Sequence, residues 1–296
     1  MNPQPPAQSC VRHPDRPTGL ACTRCGRPAC PECLRPASVG QHCVDCVAQG
    51  QRETRQVRTV AGAVAGKAPT PYVTYALIAV NVLVYAITAW QSRNLIDNAQ
   101  GGTNFFTSRL FYDWVLVPAM VANGDWIRVI GSGFLHYGPI HLALNMFALW
   151  IIGRSLEPPL GRLRYLAIYL VSMIAGAAAC MVFQGPLEAT AGASGAVYGM
   201  FGAITVLLLR LRQNANQMYI LIGINLFISF SIPHLSIAGH LGGLVAGTLA
   251  ALGVLFLPER LGAKTQEAAR SIGWASIAAI GLIAVVIIAV RAITLT

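Results

Sequence analysis

Two short motifs in the second half of the chain carry side chains that could act together in nucleophilic catalysis. Ser194 lies in the sequence Gly-Ala-Ser-Gly, and His240 lies in Ala-Gly-His-Leu-Gly-Gly. A serine hydroxyl is a weak nucleophile unless a neighbouring base accepts its proton. If the fold brings the two side chains within hydrogen-bonding distance, Ser194 is the candidate nucleophile and His240 the candidate general base.

A third set of polar residues, His136, His141 and Asn145, precedes these motifs. His141 and Asn145 are four residues apart, so they share one face of a helix. Their N–H groups can donate hydrogen bonds, which suits the oxyanion that develops during acyl transfer. The alternative for each residue alone is a structural polar group. Glu188 is the only acidic residue between positions 158 and 257, so we expect a Ser–His pair without an aspartate.

Seven long apolar stretches must position these residues. Of the 296 residues, 55% are hydrophobic and only 11% are charged, whereas soluble domains carry about 25% charged residues. Most of the stretches approach the ~20 residues that a transmembrane helix needs. The composition predicts an all-α membrane protein. The stretches are approximately 72–91, 139–156, 165–184, 194–209, 217–231, 236–257 and 271–291.

The basic residues predict an orientation in the membrane. With the N-terminus inside, 17 of the 21 Lys and Arg residues fall in inside segments and four in outside segments. This bias follows the positive-inside rule. The net charge of +10 therefore indicates the orientation of the chain in the membrane, and no nucleic-acid partner is expected. We expect an integral protein of the bacterial plasma membrane, with a cytoplasmic N-terminus and an outside C-terminus. The long first outer loop, 92–138, contains aromatic residues such as Phe105 and Phe106 and is expected to dip into the membrane interface.

Glycines recur at four-residue spacing on the two spans that carry the candidate nucleophile and base. They are Gly195 and Gly199 on the fourth span, and Gly239, Gly243 and Gly247 on the sixth. Such spacing lets membrane helices approach closely, and close packing alone is the competing interpretation of Ser194. Because Ser194 and His240 are expected at the same depth near the outer surface, the spacing favours a contact between them.

Together these motifs resemble the rhomboid proteases. The resemblance rests on Gly-Ala-Ser-Gly at 192–195, His-x-x-x-Asn at 141–145 and Ala-Gly-His-x-x-Gly-x-x-x-Gly at 238–247. It implies a six-helix core over residues 71–257, and residues 258–296 resemble the additional C-terminal helix of some members. The implied activity is that of an intramembrane serine endopeptidase, a hydrolase that cleaves transmembrane helices of other membrane proteins near the outer face.

The resemblance also implies roles for individual residues. Ser194 would be the nucleophile and His240 the base, and the Ser194 N–H would complete the oxyanion hole. The other residues with implied roles are His141 and Asn145 in the oxyanion hole, and Tyr198 against the His240 ring, with Gly192 and His136 in support.

Two charged residues have an implied structural role. Arg128 and Glu157 match a family ion pair that holds the first outer loop, although Ile127 separates Trp126 from Arg128 where the family has a Trp-Arg motif. The alternatives are a catalytically silent member that binds membrane clients, and a transporter or channel with a zinc sensor. A catalytically silent member would be expected to lack Ser194 or His240. A transporter or channel would be expected to carry charged residues within its spans.

Residues 1–47 form a Cys/His-rich module, joined to the membrane region by a linker at 48–70. Its candidate ligands are four pairs at two-residue spacing, Cys10 and His13, Cys22 and Cys25, Cys30 and Cys33, and Cys43 and Cys46. This spacing predicts zinc binding, and eight ligands make two structural Zn²⁺ sites. Joining the first pair to the third and the second to the fourth resembles B-box-type fingers; His42 is an alternative ligand.

A disulfide framework is the competing interpretation of the module. No apolar signal precedes Cys10, and cytoplasmic thiols stay reduced, so zinc is favoured. We expect the module to bind a cytoplasmic protein partner. The expected partners of the membrane region are transmembrane protein substrates and the lipid bilayer, and no cofactor is expected for catalysis.

Overall fold

The computed structural model describes residues 8–53, 59–62, 70–98, 108–231 and 235–295. The chain divides into two compact units, Met1–Val57 and Arg58–Thr296, so the division falls inside the predicted linker. Parts of that linker, 54–58 and 63–69, and part of the first outer loop, 99–107 with Phe105 and Phe106, lie outside the described residues.

The described part of the first unit contains two β-hairpins, one turn of 3-10 helix at Pro31–Cys33 and one α-helix. Its elements are β1 (Ser9–Cys10), β2 (His13–Pro17), β3 (Leu34–Pro36), β4 (Gln41–Cys43) and α1 (Val44–Glu53). β1 pairs antiparallel with β2, and β3 with β4. The buried cluster consists of six cysteines, with Ala29 and Leu34 as its other members. Because so few apolar side chains cannot stabilise a domain of this size, the cysteines themselves must supply the organising contacts.

The described part of the second unit is almost entirely helical. Its helices are α2 (Tyr72–Ser92), α3 (Arg109–Trp114), α4 (Pro118–Ala122), α5 (Ile127–Gly131), α6 (Pro139–Leu160), α7 (Arg162–Phe183), α8 (Ser194–Arg210), α9 (Asn216–Ser231), α10 (Ile237–Leu255), α11 (Leu257–Arg260) and α12 (Gln266–Leu295). Five of them, α2, α6, α7, α10 and α12, are long and apolar enough to cross a membrane, and α8 and α9 are apolar but shorter. Each predicted stretch coincides with a helix, which confirms the predicted fold class.

Large apolar side chains cover the outward faces of these helices. Leu83 on α2, Phe227 on α9 and Ile283 on α12 are 60%, 70% and 59% exposed. A soluble monomer rarely exposes contiguous apolar surface on this scale, whereas lipid tails match it. The apolar exterior therefore fits an integral membrane protein.

The contact between α8 and α10 depends on glycine. A methyl group on Gly243 would overlap the carbonyl oxygen of Gly195, and one on Gly247 would overlap the carbonyl oxygen of Gly199. No larger residue permits this separation of the two backbones, as the glycine spacing predicted. The N-terminal ends of α8 and α10 are thereby brought together.

The predicted ion pair between Arg128 and Glu157 is wrong. Arg128 on α5 pairs with Asp125 at 3.2 Å and donates hydrogen bonds to two carbonyl oxygens of the preceding segment. Helix α6 continues to Leu160, past the expected end at 156, so Glu157 lies about 27 Å along α6 from its first residue, Pro139. Arg128 instead lies in the segment that precedes α6.

Glu157 has different partners, at the first turn of α2. Its carboxylate accepts hydrogen bonds from the backbone N–H groups of Val73 and Thr74 at 3.0 and 2.9 Å. The Thr74 hydroxyl donates a third at 2.8 Å. A buried carboxylate at a helix N-terminus satisfies N–H groups that have no partner within the helix, so Glu157 ties α6 to α2.

Candidate active site and metal centres

Ser194 is the first residue of α8, and the segment before it is held at two points. Leu116 and Thr190 exchange backbone hydrogen bonds of 3.0 and 2.9 Å, and the Gly192 N–H donates to the Ser132 carbonyl at 2.9 Å. Gly192 has φ of +141°, which side chains rarely adopt. A methyl group on Gly192 would also lie 2.8 Å from Cε1 of His141. The turn into α8 therefore requires glycine.

The structure brings the predicted nucleophile and base into contact. Nε2 of His240 lies 2.7 Å from Oγ of Ser194. His240 lies one turn into α10, where the Ser236 side chain caps the helix by accepting a hydrogen bond from the Gly239 N–H at 3.0 Å. His240 is only 4% exposed and Ser194 is half-buried, so the candidate base is shielded from bulk water.

The other edge and the face of the His240 ring are also occupied. Nδ1 lies 2.8 Å from Oγ of Ser229 on α9. The Tyr198 ring stacks on the imidazole at a centroid distance of 4.2 Å and an angle of 8°, the packing that the sequence predicted. Sequence reasoning missed Ser229, since a serine in an apolar helix is a weak signal and α9 carries a second one, Ser231. Its distinguishing feature is burial, because Ser229 is the only buried residue of α9.

His141 lines the same cavity as Ser194 and His240, and its orientation is partly fixed by the backbone. The Tyr137 N–H donates a long hydrogen bond of 3.5 Å to Nδ1 of His141. In a neutral ring the proton is then on Nε2. An added methyl group on Gly192 would lie 3.0 Å from that nitrogen and 3.4 Å from the Ser194 oxygen. The Nε2–H group of His141 is therefore close to the candidate nucleophile.

Asn145 and His136 lie near His141 but do not line the cavity. Asn145 lies one turn after His141 on α6, and its amide nitrogen donates to the His141 carbonyl at 2.9 Å. His136 is buried edge-on to His141, with ring centroids 5.1 Å apart. Among the described residues, neither ring nitrogen of His136 has a hydrogen-bond partner.

A small cavity opens beside the Ser194–His240 pair. Its volume is about 40 Å³, which suits a few water molecules or a small side chain. Its lining combines the apolar side chains of Leu116 and Met173 and the Cys180 thiol with the candidate catalytic residues. This arrangement can hold a small group next to an activated hydroxyl.

The module brings its eight predicted ligands together in two groups. In each group the ligand atoms lie within 4.8 Å of one another, so each could hold a metal ion. The pairs alternate as predicted, and His42 belongs to neither group. The groups are Cys10, His13, Cys30 and Cys33, and Cys22, Cys25, Cys43 and Cys46.

In each group the surroundings lower the pKa of some thiols, which favours the thiolate that binds metals, and raise the pKa of one thiol, Cys33 or Cys46. In the first group, hydrogen bonds from backbone N–H groups, above all that of Cys30, lower the pKa of the Cys10 thiol to about 6. In the second group, the Arg27 guanidinium lies 3.4 Å from the Cys25 sulfur and lowers the pKa of that thiol. All eight cysteines of the chain are free.

Comparison with known proteins shows which family this chain resembles. Residues 123–257 match the family model described as the Rhomboid domain. The rhomboid protease GluP of Bacillus subtilis (strain 168) is 35% identical over 194 residues, which cover 64% of this chain and 36% of GluP. The rhomboid protein YdcA of the same organism is 35% identical over 135 residues, 44% of this chain and 67% of YdcA. The rhomboid protease AarA of Providencia stuartii is 29% identical over 168 residues, 47% of this chain and 59% of AarA.

Proposed function

This chain belongs to the rhomboid family, and on that premise we propose that it is an intramembrane serine endopeptidase. The observation that carries the proposal is the 2.7 Å contact between Nε2 of His240 and Oγ of Ser194. The contact lies beside a small, partly open cavity at the N-terminus of α8, where the helix dipole favours negative charge. A catalytically silent member would have no need of this contact.

The proposed reaction is acyl transfer. Oγ of Ser194 attacks the carbonyl carbon of a peptide bond, and its proton passes to Nε2 of His240. The tetrahedral oxyanion accepts hydrogen bonds from the Ser194 N–H and from Nε2–H of His141. Collapse of the intermediate returns the proton to the departing amine and leaves an acyl-enzyme, which water then hydrolyses with His240 again acting as base.

Asn145 is the further candidate donor in this scheme. Its amide nitrogen carries two N–H groups, and one of them donates to the His141 carbonyl. The second N–H group is then left for the oxyanion, but Asn145 does not line the cavity. We therefore assign Asn145 a smaller contribution than His141.

The proposed substrates are transmembrane helices of other membrane proteins. The 17-to-4 distribution of Lys and Arg supports a cytoplasmic N-terminus and a C-terminus outside, which places Ser194 near the outer face. A peptide bond within a helix is shielded by its own turn, so small, helix-destabilising residues are expected near the cut. The cavity of about 40 Å³ supports a small side chain beside the scissile bond.

We propose zinc as the metal of both groups in the module. Sulfur ligands about 2.3 Å from a tetrahedral zinc ion are about 3.8 Å from one another, and sulfur–nitrogen edges are slightly shorter. The Cys25 and Cys43 sulfurs are 3.8 Å apart, and Nδ1 of His13 lies 3.4 Å from the Cys33 sulfur. The ions would hold the module together and would take no part in the cleavage.

The decisive experiment is a cleavage assay on the full-length protein in detergent, with a generic transmembrane-helix substrate. We expect Ser194→Ala and His240→Ala to abolish cleavage and labelling by a fluorophosphonate. Ser155→Ala is the matched control, because its hydroxyl is exposed on α6 and contacts only the Ile151 carbonyl, at 3.4 Å. An inactive wild-type protein would favour the catalytically silent alternative, and labelling that persists in Ser194→Ala would remove Ser194 from its role.

A further inference from the structure

Ser229 lies at the centre of a small buried hydrogen-bond cluster that the scheme above does not use. Its hydroxyl donates to the Asn225 carbonyl, one turn earlier on α9, at 2.7 Å. The same oxygen lies 2.8 Å from Nδ1 of His240 and 3.0 Å from the Tyr198 hydroxyl. Ser229 is 3% exposed, so little water competes for these contacts.

Counting protons assigns a direction to each contact. A serine hydroxyl has one proton to donate and two lone pairs that accept. If the Ser229 proton goes to the Asn225 carbonyl, as in many serines of membrane helices, the oxygen can only accept from Tyr198 and His240. Nδ1 of His240 must then carry a proton, and a neutral ring leaves Nε2 without one.

We propose that Ser229 is a positioning residue that selects the catalytic tautomer of His240 by accepting a hydrogen bond from its Nδ1–H. This inference rests on the proposed protease function. In a Ser–His–Asp triad a buried aspartate has this role and also stabilises the imidazolium by its charge. Here a neutral hydroxyl fixes the tautomer without burying a carboxylate.

The proton steps of the reaction are consistent with this role. When Ser194 attacks, its proton moves to the bare Nε2 of His240, and the Nδ1 proton stays on the ring and continues to donate to Ser229. When the intermediate collapses, the Nε2 proton passes to the departing amine. The ring thus returns to its starting tautomer with no net proton exchange at Ser229.

Ser229 and Tyr198 restrict different motions of the same ring. Stacking at 4.2 Å on Tyr198 prevents the imidazole from tilting but allows it to slide and rotate in its own plane. A hydrogen bond at Nδ1 fixes that rotation and keeps Nε2 directed at Ser194. Removing Ser229 should therefore lower turnover more than substrate binding.

The first test compares three variants of the full-length protein by kcat and KM. We expect Ser229→Ala to lower kcat about tenfold, the effect of one hydrogen bond, with KM unchanged. Ser229→Thr retains a hydroxyl that can bond the same carbonyl and should restore most of the activity. Ser231→Ala is the matched control, because Ser231 makes the same type of bond on α9, to Phe227 at 2.8 Å, but is exposed. Equal kcat for Ser229→Ala and Ser231→Ala would overturn the proposal.

The second test reads the tautomer directly and needs no cleavage. ¹⁵N chemical shifts of histidine-labelled wild-type protein distinguish a protonated Nδ1 from a protonated Nε2, and His240→Ala identifies the signal among the six histidines. We expect a protonated Nδ1 in the wild type and a mixture of tautomers in Ser229→Ala. A protonated Nε2 in the wild type, or an unchanged tautomer in Ser229→Ala, would overturn the proposal. Failure of the proposed function would appear separately, as a wild-type protein that cleaves nothing or as cleavage that persists in Ser194→Ala.

Discussion

At the scale of single residues, His141 illustrates how a side chain can be oriented before substrate binds. A backbone N–H group directs Nδ1 of the ring, and Gly192 leaves space beside Nε2. A preorganised donor needs no rearrangement when negative charge develops, which is why such donors contribute strongly to catalysis.

This placement predicts the effect of removing the donor. We expect His141→Ala to lower kcat about 10²–10³-fold with little change in KM, and Asn145→Ala to lower it less, because one amide N–H is already engaged. The measurement is steady-state cleavage of a transmembrane substrate. His42→Ala, which changes a histidine outside both metal groups, is the control. Unchanged turnover in a variant with both His141→Ala and Asn145→Ala would contradict the proposed oxyanion hole.

Single residues also mark the limit of prediction from sequence. Ser194, His240 and His141 lie in motifs whose order and spacing are specific, so their proximity could be predicted. Ser229 could not, because only the three-dimensional packing of α9 identifies it as buried. The Arg128–Glu157 pair, which only the resemblance implied, failed because the fold gives each residue another partner: Arg128 pairs with Asp125, and Glu157 accepts hydrogen bonds from the first turn of α2.

At the scale of elements, the distance between α8 and α10 controls the geometry of the Ser194–His240 pair. The two helices touch through backbone atoms at Gly195 and Gly243. Any added side-chain atom must push the helices apart, and the two catalytic side chains move with them. The proposed catalysis therefore depends on the glycine contact as well as on the polar residues.

Gly243→Ala tests this dependence. We expect cleavage to fall about 10²-fold, since misplacement by about 1 Å has effects of that size, and the free energy of unfolding to fall by about 1–3 kcal/mol through overpacking. Cleavage and thermal unfolding in detergent measure both effects. Gly223→Ala on α9 is the control, because nothing lies within 4 Å of a methyl group there. Full activity in Gly243→Ala would show that the contact tolerates more space than the structure indicates.

At the scale of the whole molecule, the chain joins two units that are stabilised in different ways. The membrane unit has an extensive apolar core, whereas the module buries cysteines with only two other residues. The seven apolar helices, five of them long enough to cross a membrane, and the alternating ligand pairs could be predicted, because apolar length and Cys-x-x-Cys spacing are local signals. The end of α6 could not, because the apolar stretch stops at 156, whereas the helix continues through prolines 158 and 159 to Leu160. A protein partner of the module stays a prediction.

The module leads to a prediction about metal content. Elemental analysis of the full-length protein should give two zinc ions per chain, and Cys22→Ser should give one. Cys180→Ser is the control, because Cys180 lies outside both metal groups.

Chelation separates the module from catalysis. We expect cleavage to survive zinc removal, since no candidate catalytic residue is a ligand. If a protein starting near residue 68 lost activity with a chelator, the serine mechanism would have to yield to a metal site at His136, His141 and His240.

The lengths of α8 and α9 have a consequence for the surrounding membrane. With 17 and 16 residues, they extend about 25 and 24 Å, less than the ~30 Å of a typical hydrocarbon core. On the proposed membrane topology, and over the described residues of α9, the lipids beside this helix must compress to match it, and that deformation acts on the helix that carries Ser229. A bilayer of short-chain phosphatidylcholine is thin enough to match α9 without deformation. We therefore expect higher turnover in short-chain than in long-chain liposomes. The acyl-chain length of the lipid would thus change the rate of cleavage through hydrophobic mismatch, without any bound effector.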